Sequence, residues 1–253
     1  MQELFFDKNL SFKLEVCCLD ADPDSCSELL QKYHQLLWSK RLPNGNKFDL
    51  TRKGRRGSYK LYYDSMDMEL SSDRMNPSFV RQNVSHTNGL EYYPKRRLNY
   101  LNEVDYKTKE NFYLLSWTIG GSIIFPSKRK DRMTINGARG FNNKICDRFD
   151  LTLECIKRYY SKRSSPLYEI LKTYKEFFDL FQCFEEYCKF FLLDDLVDNS
   201  HENVKFFLGF KEFGQHILPA NINEYIEYKN NVELFINRRA TRMLKYLDIA
   251  NPA

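Results

Sequence analysis

The stretch from Pro166 to Val197 constrains the fold more than any other. Leu167, Ile170, Leu171, Tyr174, Phe177, Phe178 and Phe181 recur at three- and four-residue spacing, which sets them on one helical stripe. Phe184–Val197 continues as a second helical segment and is apolar around its whole circumference at Phe190–Leu193. Such a segment is stable only when it is covered on all sides, so the rest of the chain has to supply the cover. With 253 residues and 15% aromatic content, a core built largely on rings is within reach.

The N-terminal half reads as that cover. Leu10–Leu19 alternates as a strand, and Ser25–Ser39 has helical spacing with a Ser25–Glu28 capping box. Phe48–Leu50 and Tyr59–Tyr63 suit a hairpin around a Lys53–Ser58 turn, and short strands are expected near Met66–Ser71 and Leu90–Tyr93. Asn111–Pro126 is β-branched and aromatic and reads as a central strand, with Gly120-Gly121 marking a bulge, a bend or a close backbone approach. Met133–Ile135 is expected as a short strand, followed by an Asn136–Gly140 turn and a helix from Asn143 to Tyr160. Helices then follow to about Gln182 and Val197, with a last one from Asn223 to about Leu247. The expected fold is α+β: an N-terminal antiparallel sheet with one helix, packed against a C-terminal bundle-like layer of about four helices. Residues 1–253 read as a single domain, strand-rich and basic over 1–142 and helical over 143–253.

Charge is unevenly spread. Residues 1–163 hold 29 Lys and Arg against 20 Asp and Glu, residues 164–236 hold 6 against 13, and residues 237–253 hold 4 against 1. One cationic face suited to a polyanion is the expectation, with ordinary solvated charge as the competing reading. No apolar run reaches the roughly 18 residues of a membrane span, and the acid-bearing N-terminus does not have the form of a signal peptide. The seven cysteines are odd in number and contain no CxxC pair, which favours reduced thiols, a cytoplasmic setting and no zinc-finger pattern. The four histidines are scattered, which argues against a histidine metal site. No cofactor follows from any motif.

Several blocks carry a resemblance: YHQLLWSKRLPNGNKFDL, ELSSDRM, IGGSIIFPSKRKDRMTINGARG, DRFDLTLECIKRYY, SPLYEILKTYKEFFDLF and FFLLDDLV. In order and spacing they resemble a family of uncharacterised bacterial proteins, a domain of unknown function. The resemblance is domain-wide and implies one complete unit of bacterial or phage type. It brings no activity with it, and Arg52–Tyr63 is more basic here than the family pattern.

Three function classes stay open. The first is binding of RNA or single-stranded nucleic acid through basic loops: Lys40, Arg41, Arg52, Lys53, Arg55 and Arg56, then Lys95, Arg96 and Arg97, then Lys128, Arg129 and Lys130. Lys and Arg neutralise phosphates, and nearby rings such as Trp38, Tyr59, Tyr62, Tyr63, Tyr92 and Tyr93 can stack on bases. The second is a metal-dependent enzyme acting on a nucleotide or phosphodiester. On one helix running from Asn143, Asp147, Asp150 and Glu154 share a face, where three carboxylates can hold a divalent cation while Arg139 holds a phosphate. A solvated face with Glu154 paired to Arg158 explains the same residues. Arg81 and His86 have a spacing also used in metal-independent ribonucleases, within a loop-like segment. The third class is a protein-interaction module built on the aromatic helices. Arg238, Arg242 and Lys245 share a face of the last helix, where pairing with the acidic 164–236 region is expected.

Overall fold

The computed structural model describes Ser11 and residues 23–53, 59–63, 66–75, 98–127 and 133–250. The expected strands at Leu10–Leu19 and Leu90–Tyr93 lie outside these residues, apart from Ser11, which bridges Thr118. The architecture is α+β. Four strands, β1 (Asp49–Lys53), β2 (Tyr59–Tyr63), β3 (Met66–Arg74) and β4 (Ser122–Pro126), form one antiparallel sheet in sequence order. Tyr59 pairs with Leu70 and Leu61 with Met68, so alternation carries these four inward. All five residues of β4 are buried, because helices cover both of its faces.

Around the sheet lie α1 (Pro23–Cys26), α2 (Glu28–Trp38), α3 (Tyr106–Leu115), α4 (Ile135–Phe141), α5 (Phe149–Tyr160), α6 (Tyr168–Thr173), α7 (Lys175–Asp179), α8 (Phe184–Phe190) and α9 (Ile222–Ala250). The helical stripe read at 167–181 is buried but broken into two short helices, α6 and α7. The all-apolar segment is α8 with its exit, and Phe191 and Leu193 are completely enclosed. Rings from both halves meet there: Phe48 of the N-terminal half lies 5.1 Å from Phe190 and 6.1 Å from Phe181, and Trp38 lies 5.3 Å from Phe191, centroid to centroid.

Several expected elements change type. Asn111–Pro126 is not one strand. Its first residues belong to α3, which starts upstream of the apolar run because the Asp105 carboxylate accepts from the Thr108 amide at its N-terminus. The chain then turns through a 3-10 turn at Ile119–Gly121, and only Ser122–Pro126 is strand. The Met133–Gly140 strand and turn is largely helix α4, capped by Thr134, whose hydroxyl accepts from the Gly137 amide. The next helix begins at Phe149, not Asn143, because Cys146 and Asp147 adopt left-handed backbone with φ of 47° and 61°. The cap of α2 is Ser27 rather than Ser25, accepting from Leu30 N at 3.1 Å, and α9 is capped by Asn221 rather than Asn223, accepting from Glu224 N at 3.0 Å.

Gly120 is the close approach anticipated in the sequence. A Cβ there would stand 2.7 Å from the Ile236 carbonyl oxygen of α9, whereas one at Gly140 meets nothing within 4 Å. Gly120→Ala is therefore expected to destabilise the fold by about 1–3 kcal/mol, and Gly140→Ala to stabilise it by about 0.5–1 kcal/mol. Urea denaturation of both variants measures this; a neutral Gly120→Ala would show that α9 does not bear on the 3-10 turn.

Candidate functional site: buried arginines and a basic ribbon

Arg139, expected at a phosphate, is wholly buried and engaged within the protein. It forms an ion pair with the Asp73 carboxylate. Its Nε donates to Thr152 Oγ1 at 3.0 Å and its Nη2 to the Arg74 carbonyl at 3.2 Å. Asp147 stands 3.4 Å from Nη2. The consecutive left-handed residues Cys146 and Asp147 make this approach possible, a backbone conformation that costs about 1–3 kcal/mol per residue.

Asp150 faces a different partner. Arg148 clamps it in a fork, Nε to Oδ1 at 3.1 Å and Nη2 to Oδ2 at 2.5 Å. Asp150 Oδ2 also accepts from the Phe207 amide at 2.9 Å, and Arg148 donates to the carbonyls of Ile217 and Leu208. Burial lowers the Arg148 pKa, but its carboxylate partner outweighs burial and leaves it raised. Glu154 is buried against Lys157 and Arg158, each at 2.8 Å, so the expected Glu154–Arg158 pair is present. The expected carboxylate stripe is corrected on two points. Asp147 precedes the helix, and Asp150 and Glu154 are buried, each held by its own cations. Among the described residues, no group of three His, Cys, Asp or Glu side chains is arranged to hold a metal ion.

Sequence reasoning missed a second cluster. Arg239 is fully buried and donates to four acceptors other than carboxylates: the carbonyls of Gly120 at 2.8 Å, Ser122 at 2.7 Å and Phe191 at 3.0 Å, and the sulfur of Met75 at 3.5 Å. Burial first, and Arg242 second, lower its pKa to about 9. The signal was readable: Arg239 falls in line with Val232, Ile236, Met243 and Leu247 on the apolar stripe of α9. Nearby, Trp38 Nε1 donates to His34 Nδ1 at 2.8 Å, which leaves the His34 proton on Nε2, facing Ser122 Oγ at 3.1 Å. Burial, with Arg239 adding to it, lowers the His34 pKa to about 3. Of the face expected to pair with the acidic region, Arg242 does so, with Asp194 at 3.0 Å and Asp195 at 2.6 Å.

The basic positions separate. Lys40 Nζ is drawn over the rings of Phe190, Tyr246 and Trp38 at 4.7, 5.1 and 5.2 Å. Burial, then Arg239, lower its pKa to about 7, so it is withdrawn from the cationic surface. Arg41 and Lys47 face each other across a β-bridge and both are exposed. Arg52 stands opposite Lys60 in the β1–β2 register, and Lys53 opposite Tyr59. Arg55, Arg56, Lys95, Arg96, Arg97, Lys128, Arg129 and Lys130, with Arg81, His86, Tyr92 and Tyr93, lie outside the described residues. Trp38 and Tyr59, read as possible stacking rings, are core: Tyr59 donates to the buried Asp24 carboxylate at 3.1 Å.

Two stability measurements follow from these networks. Asp150→Asn leaves the Arg148 charge buried without its counter-charge, and a loss of about 3–5 kcal/mol is expected; Glu154→Gln, whose partners reach solvent, is expected to lose about 1 kcal/mol. Equal losses in denaturant titrations would refute the ranking. For His34, the unfolded chain takes up a proton near its ordinary value of 6.5 and the folded chain only near 3. The unfolded state thus binds more protons below 6.5, and stability falls as pH drops through that window, with a slope approaching about 1.4 kcal/mol per pH unit. His34→Gln should flatten the slope between about pH 6.5 and about pH 5; an unchanged slope would assign it to other groups.

Among comparisons with known proteins, neither the curated proteins nor the solved structures contain a match. A family model does match, over residues 6–243. That span takes in the sheet, the buried arginines and most of α9, and the chain belongs to the family of unknown function DUF6994.

Proposed function

We propose that the protein binds RNA or other single-stranded nucleic acid through the basic ribbon of residues 41–60. The observation that supports this reading is the β-bridge that sets two like charges, Arg41 and Lys47, directly opposite each other. Like charges directly opposite on paired strands are destabilising unless an anion lies over them. Arg41 and Lys47 are exposed, and neither forms an ion pair among the described residues; the one side-chain bond of Arg41 goes to the Gly45 carbonyl at 2.8 Å. A phosphodiester backbone supplies closely spaced negative charge, and the binding it gives is tolerant of sequence. Among the described residues β1 is also a sheet edge.

The test is fluorescence anisotropy of labelled single-stranded RNA and DNA oligonucleotides at salt concentrations from about 50 to about 200 mM. Binding should weaken linearly in log–log form. Arg41→Glu with Lys47→Glu should reduce the salt slope by about 1.4, since each of the two phosphate contacts on a single strand contributes about 0.7. No binding at the lowest salt, or a double variant with unaltered slope and affinity, would overturn the proposal.

A further inference from the structure

A groove of about 160 Å³ runs between α9 and the segment 195–207. On the α9 side Asn231, Leu234, Phe235 and Arg238 recur at the spacing of one helical face. Leu234 remains 49% exposed, although this face carries two apolar residues. The opposite wall is held in place from several directions. Val197 bridges Val204, and the Lys205 amide donates to the Leu196 carbonyl at 2.8 Å. The Asp198 carboxylate gathers the amides of Glu202 and Asn203 and the Asn203 side chain. Phe207 is fixed at both ends of its peptide: its amide donates to Asp150, and its carbonyl accepts from Asn231 Nδ2 at 3.0 Å. The walls are therefore set before any ligand arrives, and Leu196, Phe206 and Phe235 supply an apolar lining.

Two cations line the same groove, and none of the described residues neutralises either of them. Lys205 and Arg238 are exposed, and their side chains form no ion pair or hydrogen bond among the described residues. Three other cations of α9 are engaged: Lys229 pairs with Glu233, Arg242 with Asp194 and Asp195, and Arg239 is spent on backbone carbonyls, whereas Lys245, outside the groove, is exposed like Arg238. The acid at the groove, Asp195, is engaged by Arg242 at 2.6 Å.

We propose that this groove is a binding site for a small amphipathic oxyanion, a carboxylate or phosphate carried on a body about the size of one aromatic ring. A cavity of about 150 Å³ accommodates a benzene ring, which matches the space available. Burial of the ring against Leu234, Phe206 and Phe235 contributes apolar contact. The planar guanidinium of Arg238 suits the two oxygens of a carboxylate or phosphate, with Lys205 as a second point charge. The inference is independent of the ribbon at residues 41–60.

Fluorine NMR titration of the full chain with 4-fluorobenzoate and with 4-fluorophenyl phosphate tests it and distinguishes the two anions. At least one should bind saturably, about tenfold or more tighter than 4-fluorobenzyl alcohol, which has the ring without the charge, and than inorganic phosphate, which has the charge without the ring. Lys205→Gln with Arg238→Gln should weaken binding about tenfold with an unchanged thermal melt, since both side chains are exposed and unbonded. Leu234→Ser should weaken the ring anion and leave inorganic phosphate unaltered. Failure of both ring anions to saturate, equal binding of the alcohol, or an unaffected double variant would overturn the site.

Discussion

Arg239 is the contact on which the rest of the structure depends. Its guanidinium joins three elements from distant parts of the chain: the 3-10 turn at Gly120, the first residue of β4 at Ser122, and the exit of α8 at Phe191. Among the described residues no carboxylate offsets it within hydrogen-bonding distance. The backbone does so instead, because the Phe191 carbonyl belongs to the negative end of α8, and hydrogen bonds from a charged donor are worth about 1.5–3 kcal/mol each. Arg242, one turn further along α9, adds a bond to the Leu192 carbonyl at 2.9 Å. Two arginines on successive turns of the longest helix thus cap a short one. The cost of enclosing the Arg239 charge shows in its lowered pKa, and the charge adds to the burial that depresses His34 and Lys40 beside it.

Around this point the rings do the non-directional work. Trp38, Phe48, Phe177, Phe181, Tyr187, Phe190 and Phe191 form a continuous contact network in which edge-to-face and tilted pairs predominate. The network joins the strand-rich half to the helical half, so the two make one core. Lys40 closes one side of it, with its ammonium over three rings. The same core encloses Trp38 and Tyr59 and draws the Lys40 ammonium over its rings, while Arg41 and Lys47 stay exposed.

The Arg148–Asp150 pair connects this frame to the groove beside α9. It holds the Phe207 amide and the Leu208 and Ile217 carbonyls, and Phe207 in turn forms part of the groove wall. A carboxylate that reads from sequence as a candidate metal ligand works instead as a positioning group for a segment without regular secondary structure. The three backbone partners of the pair, one of Asp150 and two of Arg148, lie in a stretch that has few strand or helix bonds of its own, and buried peptide groups there need such partners.

What the sequence by itself determined is local. The stripes of α2, α5 and α9, the pairing of β1 with β2 and the burial of Phe190, Phe191 and Leu193 follow from the spacing of apolar residues, and the Gly120-Gly121 pair marked a close approach as one of three readings. Tertiary structure decided the rest. Asn111–Leu115 is apolar enough for a strand, yet the Asp105 cap and the packing against α9 make it helix. Asp150 and Glu154 lie on one helical face in either reading, but whether that face meets water depends on residues 207–217 folding over it. The cations Arg148, Lys157 and Arg158 are close in sequence, but other partners are remote: Asp150 accepts from a peptide 57 positions away, and Arg139 pairs with a carboxylate 66 positions away. A charged side chain at helical spacing has the same pattern whether it is solvated or enclosed beside a counter-charge. Only the long-range arrangement of the chain chooses between the two, because desolvation is set by what covers a group and not by its neighbours in sequence.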